Sequence, residues 1–110
     1  RDNWYETRDL TKDARYTVKS VGLLAARARQ AFLEFNPVGA SADDPERIHR
    51  TVPYGPLLEV FALDLRSYRG ANSENRQPAL TPAAMLLGEP QLGSLKTRLA
   101  ASRATWKVIA

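Results

Sequence analysis

The most constraining stretch is residues 57–65, LLEVFALDL, because it is apolar on both of its alternating faces. Leu57 and Phe61 fall on one face, and Leu58 and Val60 fall on the other. A strand with two apolar faces lies in the middle of a sheet, where other elements cover both sides. The stretch therefore predicts a central β-strand within an α/β fold.

The sequence turns polar where this strand is expected to end. Before Gly70, the chain brings one carboxylate, one phenol and two guanidiniums to one edge of the fold: Asp64, Tyr68, Arg66 and Arg69. In α/β sheets, ligands usually bind at the carboxyl ends of the strands. This edge is therefore the first candidate for a site.

The sequence also predicts two helices. Apolar residues repeat with a period near 3.6 over residues 20–35, and Pro37 ends the pattern, which predicts an amphipathic helix packed on another element. A second helix is expected to begin near Pro90 with an apolar line of leucines. These leucines are Leu92, Leu95 and Leu99.

Two more strands complete the predicted architecture. Residues 48–52 alternate apolar and polar side chains and are joined to the central strand through residues 53–56, which predicts a β-hairpin. Residues 106–110 form a terminal strand that has no turn after it, and the chain begins on Arg1 without a methionine. We therefore expect an α/β segment of a larger protein, in the order helix, β-hairpin, helix, terminal strand.

Composition excludes several classes of protein. The chain has no cysteine, so it has no disulfide framework and no thiolate metal site. No apolar run approaches the roughly 18 residues that would suggest a membrane span. His49 is the only histidine and has no second ligand nearby in the sequence, so we interpret it as a half-exposed strand residue rather than a metal ligand.

A basic pattern near the start suggests a second function. Four basic residues at spacings of four, three and four would form one stripe on a helix: Arg8, Lys12, Arg15 and Lys19. Such a stripe would bind phosphates, or it would be a solvated face paired with Asp9 and Asp13. The net charge of +4, from 16 basic and 12 acidic residues, is too small to decide between them.

Four stretches together resemble one family. They are RDNWYE at residues 1–6, LAARARQAFLEFNP at 24–37, YGPLLEVFALDLRSYRG at 54–70 and LGEPQLGSLKTRLAASRATWKVIA at 87–110. In order and spacing they resemble the middle of the alkaline phosphatase D family, within the metallophosphoesterase superfamily. The resemblance implies a layered α/β metallophosphoesterase sandwich that hydrolyses phosphate mono- or diesters, with iron and calcium or other divalent ions, commonly outside the cytoplasm.

The resemblance also locates the chain within that domain. The family's metal-binding blocks fall before the position of Arg1 and after Ala110, so residues 1–110 correspond to an internal segment between them. The resemblance therefore implies no catalytic residue and no metal ligand in this chain, which is expected to be inactive alone. Its substrate in the parent protein would be a phosphate ester.

Three residues are predicted to bind substrate. Asn3 follows the missing ligand block, where an amide would touch metal or phosphate; the alternative is a turn cap formed with Asp2. Arg66 and Arg69 would present planar guanidiniums to phosphate. The alternative for Arg66 is a pair with Asp64, or bonds to loop carbonyls, that fix the strand end.

Two other classes of function stay open. A polyanion-binding or nucleic-acid-binding module would use the basic stripe, but it lacks the interleaved aromatics of single-strand binders, so nucleic acid is not the favoured partner. A self-associating structural module would arise because a chain of this size covers both faces of the central strand only partly, and because the terminal strand leaves an open edge. We therefore expect the isolated segment either to form a homo-oligomer or to depart from its arrangement in the larger protein.

Overall fold

The computed structural model describes residues 3–74 and 76–110. It has an α/β fold of two helices and three strands, with one short 3-10 helix, which confirms the predicted fold class and element order. The elements are α1 (Val21–Phe35), β1 (Arg50–Tyr54), β2 (Leu58–Ala62), the 3-10 helix (Pro82–Ala84), α2 (Glu89–Ala101) and β3 (Trp106–Ile109).

Local capping explains where the helices begin and end. The Ser20 hydroxyl accepts a hydrogen bond from the Leu23 N–H at the start of α1, and the N–H of Asn36 bonds to the Phe32 carbonyl at its end. α2 begins after Gly88, and Pro90 lies in its first turn, where proline is tolerated because no N–H is needed there.

The sheet has the order β1-β2-β3, so β2 is central, as the sequence predicts. β1 pairs antiparallel with β2, with Val52 opposite Val60, and the two strands form the predicted hairpin. β3 pairs parallel with β2, with Val108 also opposite Val60. α2 therefore lies in a β-α-β connection between two neighbouring parallel strands.

Only one face of the sheet is well covered. Phe61 is 1% exposed and lines a narrow cleft with Gln91 and Leu95 of α2, so α2 covers this face. The other face carries four exposed side chains, which we call the open sheet face: Val52, Tyr54, Trp106 and Val108. The prediction of two buried faces is wrong for this second face, because no described element packs on it.

The amino-terminal segment is not helical. Residues 3–20 form turns and a single bridge between Asp9 and Ser20, so the proposed basic helical stripe does not exist. The reason is local competition for backbone N–H groups. A carboxylate oxygen of Asp9 accepts the Thr11 N–H at 2.8 Å, and one of Asp13 accepts the Arg15 N–H at 3.1 Å.

α1 packs over only part of its length. Val21 and Ala25 are buried and, together with the buried Leu10, line a cavity of about 350 Å³ between α1 and the amino-terminal segment. The prediction that this helix packs on another element holds for its first half, whereas Phe35, at the end of the helix, is 85% exposed. No helix among the described residues is long and apolar enough to cross a membrane.

Candidate functional site

The chain turns sharply after β2, and a buried aspartate fixes that turn. Asp64 is 7% exposed, and its Oδ1 accepts the backbone N–H groups of Arg66 at 2.8 Å and Ser67 at 3.0 Å. An aspartate that accepts hydrogen bonds from the backbone N–H groups two and three residues later in the chain stabilises a tight turn. Asp64 therefore fixes the path of the backbone that carries the two arginines.

A glutamine from α2 holds the same turn from the other side. Gln91, 1% exposed, accepts the Asp64 N–H at 2.7 Å through Oε1 and donates to the Asp64 carbonyl at 2.8 Å through Nε2. Its Nε2 also donates to the Leu87 carbonyl at 2.9 Å. The side-chain amide thus satisfies two buried backbone groups that have no strand partner at this point.

Two glycines allow the following loop to approach the turn. A Cβ at Gly70 would lie 2.0 Å from the Pro82 carbonyl oxygen, and the Gly70 N–H donates to the Met85 carbonyl at 2.9 Å. Gly88 has φ +70°, and a Cβ there would lie 2.7 Å from the Tyr68 carbonyl oxygen. Both ends of residues 70–88 are therefore held against the strand end.

The three predicted site residues meet at this turn. Arg66 and Arg69 each donate one guanidinium N–H to the same acceptor, Oδ1 of Asn3. Arg69 also donates to Oδ1 of Asn72, which accepts the Asn3 amide at 2.9 Å as well. Asn3 has φ +53°, a left-handed conformation that asparagine tolerates better than most residues.

The two guanidiniums are held by neutral amides. In the described part of the chain, ion pairs join other arginines to carboxylates, such as Arg29 to Glu46 at 2.7 Å, but none involves Arg66 or Arg69. Within residues 3–74 and 76–110, therefore, neither of these two positive charges forms an ion pair with a carboxylate. Nε of Arg69 is buried and has no hydrogen-bond partner among the described residues, and the same holds for Oδ2 of Asp64.

A ring pair borders the turn. The rings of His49 and Tyr68 meet edge to face with centroids 5.3 Å apart. Burial lowers the pKa of His49 below its ordinary value and raises that of Tyr68. Both rings are therefore neutral near pH 7, and His49 packs against the turn as a half-buried residue rather than standing in the solvent.

The described residues do not form a metal site. No group of three His, Cys, Asp or Glu residues able to hold a metal ion occurs in residues 3–74 and 76–110. The donor set there does not fit an iron or calcium centre, which requires several oxygen or nitrogen ligands around each ion. Apart from the Asp64 carboxylate, the polar side chains that meet at the turn are guanidiniums and amides, and their N–H groups suit an anion.

The comparison with protein families now decides the family. The model of the PhoD-like phosphatase family matches residues 1–110, which is the whole chain. The chain belongs to the PhoD-like phosphatase family. The searches of curated proteins and of solved structures gave no significant match.

The sequence predicts part of the turn after β2 in this PhoD-like chain. The alternative in which Asp64 pairs with Arg66 holds for the Arg66 backbone N–H, whereas the Arg66 side chain reaches Asn3 instead. The alternative turn cap for Asn3 involves Asp2, which lies outside the described residues. The role of Asn3, Arg66 and Arg69 in binding substrate stays a prediction.

Two residues of the turn were missed. Asn72 lies in a stretch rich in turn-forming residues, where nothing distinguishes it from its polar neighbours. Gln91 carried a signal, because it lies four and eight residues before Leu95 and Leu99 and so falls on the same helical stripe. A polar residue in register with an apolar stripe is buried with its polar atoms satisfied, and Gln91 is such a case.

Proposed function

We propose that this chain is the phosphate-binding segment of a metal-dependent phosphoric ester hydrolase of the PhoD-like phosphatase family. Membership of that family supports a phosphatase-type function. The observation that carries the proposal is the convergence of Arg66 and Arg69 on Oδ1 of Asn3. The phosphoryl group of the substrate would bind at that point.

The chemistry of the three side chains suits a phosphate ester. Each guanidinium is planar, always charged and able to donate two parallel hydrogen bonds to phosphate oxygens. The amide oxygen of Asn3 is a neutral acceptor, and an anionic oxygen that replaces it forms stronger, charge-assisted bonds. The Asn3 Nδ2 group, which now donates to Asn72, is a further donor beside that position.

The proposed role of the chain is binding and orientation rather than turnover. Hydrolysis in a metal-dependent phosphatase needs metal ions, and the described residues do not supply their ligands. We propose that the ligands for iron, calcium or related divalent ions belong to parts of the parent protein beyond this chain. By itself, the chain then holds the phosphoryl group without activating a nucleophile.

A hydrolysis assay tests whether the chain lacks catalytic activity of its own. The purified chain is incubated with iron, calcium, manganese or zinc salts and with p-nitrophenyl phosphate or bis(p-nitrophenyl) phosphate. The proposal expects no p-nitrophenol release above that of the metal salts alone. Saturable, metal-dependent turnover would show that the chain holds its own reactive centre.

A binding experiment tests the site itself. Inorganic phosphate is titrated into the chain at low ionic strength and followed by calorimetry or by broadening of the ³¹P signal. Arg66→Ala and Arg69→Ala should each lower the affinity by about tenfold or more, since a charge-assisted bond contributes roughly 1.5–3 kcal/mol. Arg66→Lys should recover only part of the loss, because an ammonium lacks the planar fork.

Arg27→Ala is the matched control. Arg27 lies exposed on α1, and its removal lowers the net charge by the same single unit. If Arg27→Ala weakens phosphate binding as much as the two site variants do, the affinity reflects overall charge and the proposed site is wrong. Equal affinity of the parent chain and the three alanine variants would also contradict it.

A further inference from the structure

Two buried polar atoms at the turn after β2 have no hydrogen-bond partner among the described residues. They are Oδ2 of Asp64 and Nε of Arg69. The large majority of buried side-chain polar atoms in folded proteins have a partner, so two exceptions in one turn need an explanation. Both atoms are enclosed by residues of this chain, and a further part of the parent protein could reach them only by opening the turn.

The two atoms are complementary. A carboxylate oxygen accepts hydrogen bonds, and the Nε–H of an arginine only donates them. Asp64 and Arg69 lie five residues apart. The backbone between them is fixed by Oδ1 of Asp64, which accepts the N–H groups of Arg66 and Ser67. The unused acceptor and the unused donor thus belong to the two ends of one turn.

The other nitrogens of Arg69 explain why its Nε–H is not used. One terminal nitrogen donates to Oδ1 of Asn3, and the other donates to Oδ1 of Asn72. A guanidinium is planar and rigid, so two bonds at its terminal nitrogens also set the direction in which its Nε–H points. The terminal nitrogens are therefore satisfied by two amide oxygens, while the inner donor has no acceptor.

We propose that Asp64 is a positioning residue for phosphate and acts through Arg69. When a phosphoryl group binds, two of its oxygens replace the amide oxygens of Asn3 and Asn72 on the terminal nitrogens of Arg69. The guanidinium then turns, and its Nε–H donates to Oδ2 of Asp64. This inference rests on the proposed phosphate-binding function, and it adds a residue that does not itself touch the substrate.

The bond between Asp64 and Arg69 strengthens phosphate binding in two ways. It joins groups of opposite charge, and such a bond is roughly twice as strong as one between neutral groups. It also orients the guanidinium so that the parallel N–H groups of its terminal nitrogens point at the phosphoryl oxygens. Asp64 then holds the backbone of the turn through Oδ1 and the side chain of Arg69 through Oδ2.

Asp64→Asn isolates the role of the second oxygen. The amide keeps Oδ1 for the two backbone N–H groups of the turn and replaces Oδ2 with an NH2 group that cannot accept from Arg69. Inorganic phosphate, titrated at low ionic strength and followed by calorimetry, should bind about tenfold more weakly than to the parent chain. Loss of a negative charge by itself would instead tighten the binding of an anion, so the sign of the change is decisive.

Asp9→Asn is the matched control. Oδ1 of Asp9 also accepts a backbone N–H two residues later in the chain, and both of its oxygens bond to Thr11 rather than to an arginine. The substitution changes the net charge by the same single unit. It should bind phosphate as tightly as the parent chain or slightly more tightly, and a loss equal to that of Asp64→Asn would overturn the proposal.

A double-mutant cycle separates an effect on Arg69 from an effect on the whole turn. In the Arg69→Ala background, Asp64→Asn should cause no further loss of phosphate affinity, because no guanidinium is left to orient. A further loss there would show that Asp64 acts on binding only by fixing the turn that also carries Arg66. Circular dichroism checks that each variant folds.

An NMR signal of the parent chain tests the same bond without any substitution. As inorganic phosphate is added, the Nε–H proton of Arg69 should move downfield, because it gains a carboxylate acceptor. The same proton in Asp64→Asn should lack this shift. If Asp64→Asn does not fold, the parent chain alone decides, and an Nε–H signal that stays in place at saturating phosphate would contradict the proposal.

The outcomes also separate this inference from the proposed function. If Arg69→Ala weakens phosphate binding but Asp64→Asn binds as tightly as the parent chain or more tightly, the phosphate site stands and the role of Asp64 is wrong. If Arg69→Ala leaves the affinity unchanged, the proposed site is wrong and the role of Asp64 is lost with it.

Discussion

The turn after β2 and the open sheet face belong to the same small sheet region, yet the side chains that fix the turn are buried and those of the open sheet face are exposed. At the turn, the polar residues Asp64 and Gln91 are buried and hydrogen-bonded to the backbone. On the open sheet face, the apolar residues Tyr54 and Trp106 are 76% and 68% exposed. The polar groups of the turn are thus hydrogen-bonded within the chain, whereas the apolar side chains of the open sheet face remain exposed.

The contrast follows from how the two kinds of interaction work. A hydrogen-bonded turn needs only a few groups at the right distances, which one strand end and one helix supply. Burial of an apolar face needs a second layer of structure, and a chain of 110 residues has little material for it. The geometry of the candidate site can therefore form within this chain, while its apolar faces require other partners.

The sharpest way to break the turn is a methyl group at Gly70. In Gly70→Ala the new Cβ would lie 2.0 Å from a main-chain oxygen, so the loop must move, and we expect a loss of about 4 kcal/mol in the free energy of unfolding. Gly93→Ala is the control, because nothing lies within 4 Å of its Cβ. In a helix interior it should stabilise by about 0.5–1 kcal/mol. Urea unfolding measures both, and a neutral Gly70→Ala would mean that the loop does not pack on the turn.

Gln91→Leu removes the two hydrogen bonds between the Gln91 side chain and the Asp64 backbone while nearly keeping the side-chain volume. It leaves the Asp64 N–H and carbonyl buried without partners, so we expect destabilisation of about 3 kcal/mol. Gln30→Leu is matched in chemistry, since among the described residues the Gln30 side chain bonds only to exposed Glu34 on α1, and it should cost less than about 0.5 kcal/mol. If thermal unfolding showed the same loss of stability for Gln91→Leu and Gln30→Leu, the hydrogen bonds of Gln91 at the turn would contribute no more than those of an exposed glutamine, which would contradict the comparison.

The smallest expected effect is a pH dependence from His49. Burial lowers its pKa in the folded chain, so the unfolded chain binds the proton more readily. The stability from neutral His49 is complete above the ordinary pKa of 6.5 and declines as the pH falls below it, levelling off beneath the folded pKa. The difference in unfolding free energy between the parent chain and His49→Phe, measured from pH 8 to pH 5, should show this decline. An NMR titration of His49 with a pKa above 6.5 would contradict the sign.

The sequence predicts the elements well where local signals agree. Ser20 and Pro37 bracket the first helix, and the observed bounds differ from the prediction by one residue. The two apolar faces of residues 57–65 correctly predict the central strand. Whether both faces are buried depends on other elements packing on them, and the strand's own sequence does not show this. The basic stripe considered for residues 8–19 requires a helix, and none forms there because Asp9 and Asp13 accept nearby backbone N–H groups, which the spacing of the basic residues does not reveal.

The candidate site was predictable only in part. Arg66 and Arg69 follow a predicted strand, and that position places them at an edge where ligands bind. Their meeting with Asn3 joins residues more than 60 positions apart, and here the family resemblance rather than spacing drew attention to Asn3. Asn72 depends on the fold of the loop, and local sequence carries no sign of it.

The most direct test of the phosphate-binding turn is an NMR titration of the chain with inorganic phosphate, observing the ¹⁵Nε signals of its arginines and the side-chain amide of Asn3. The account predicts that Arg66, Arg69 and Asn3 shift together along one saturable curve while Arg27 does not move. Small, linear and equal shifts at all arginines, with an unchanged Asn3 amide, would contradict it.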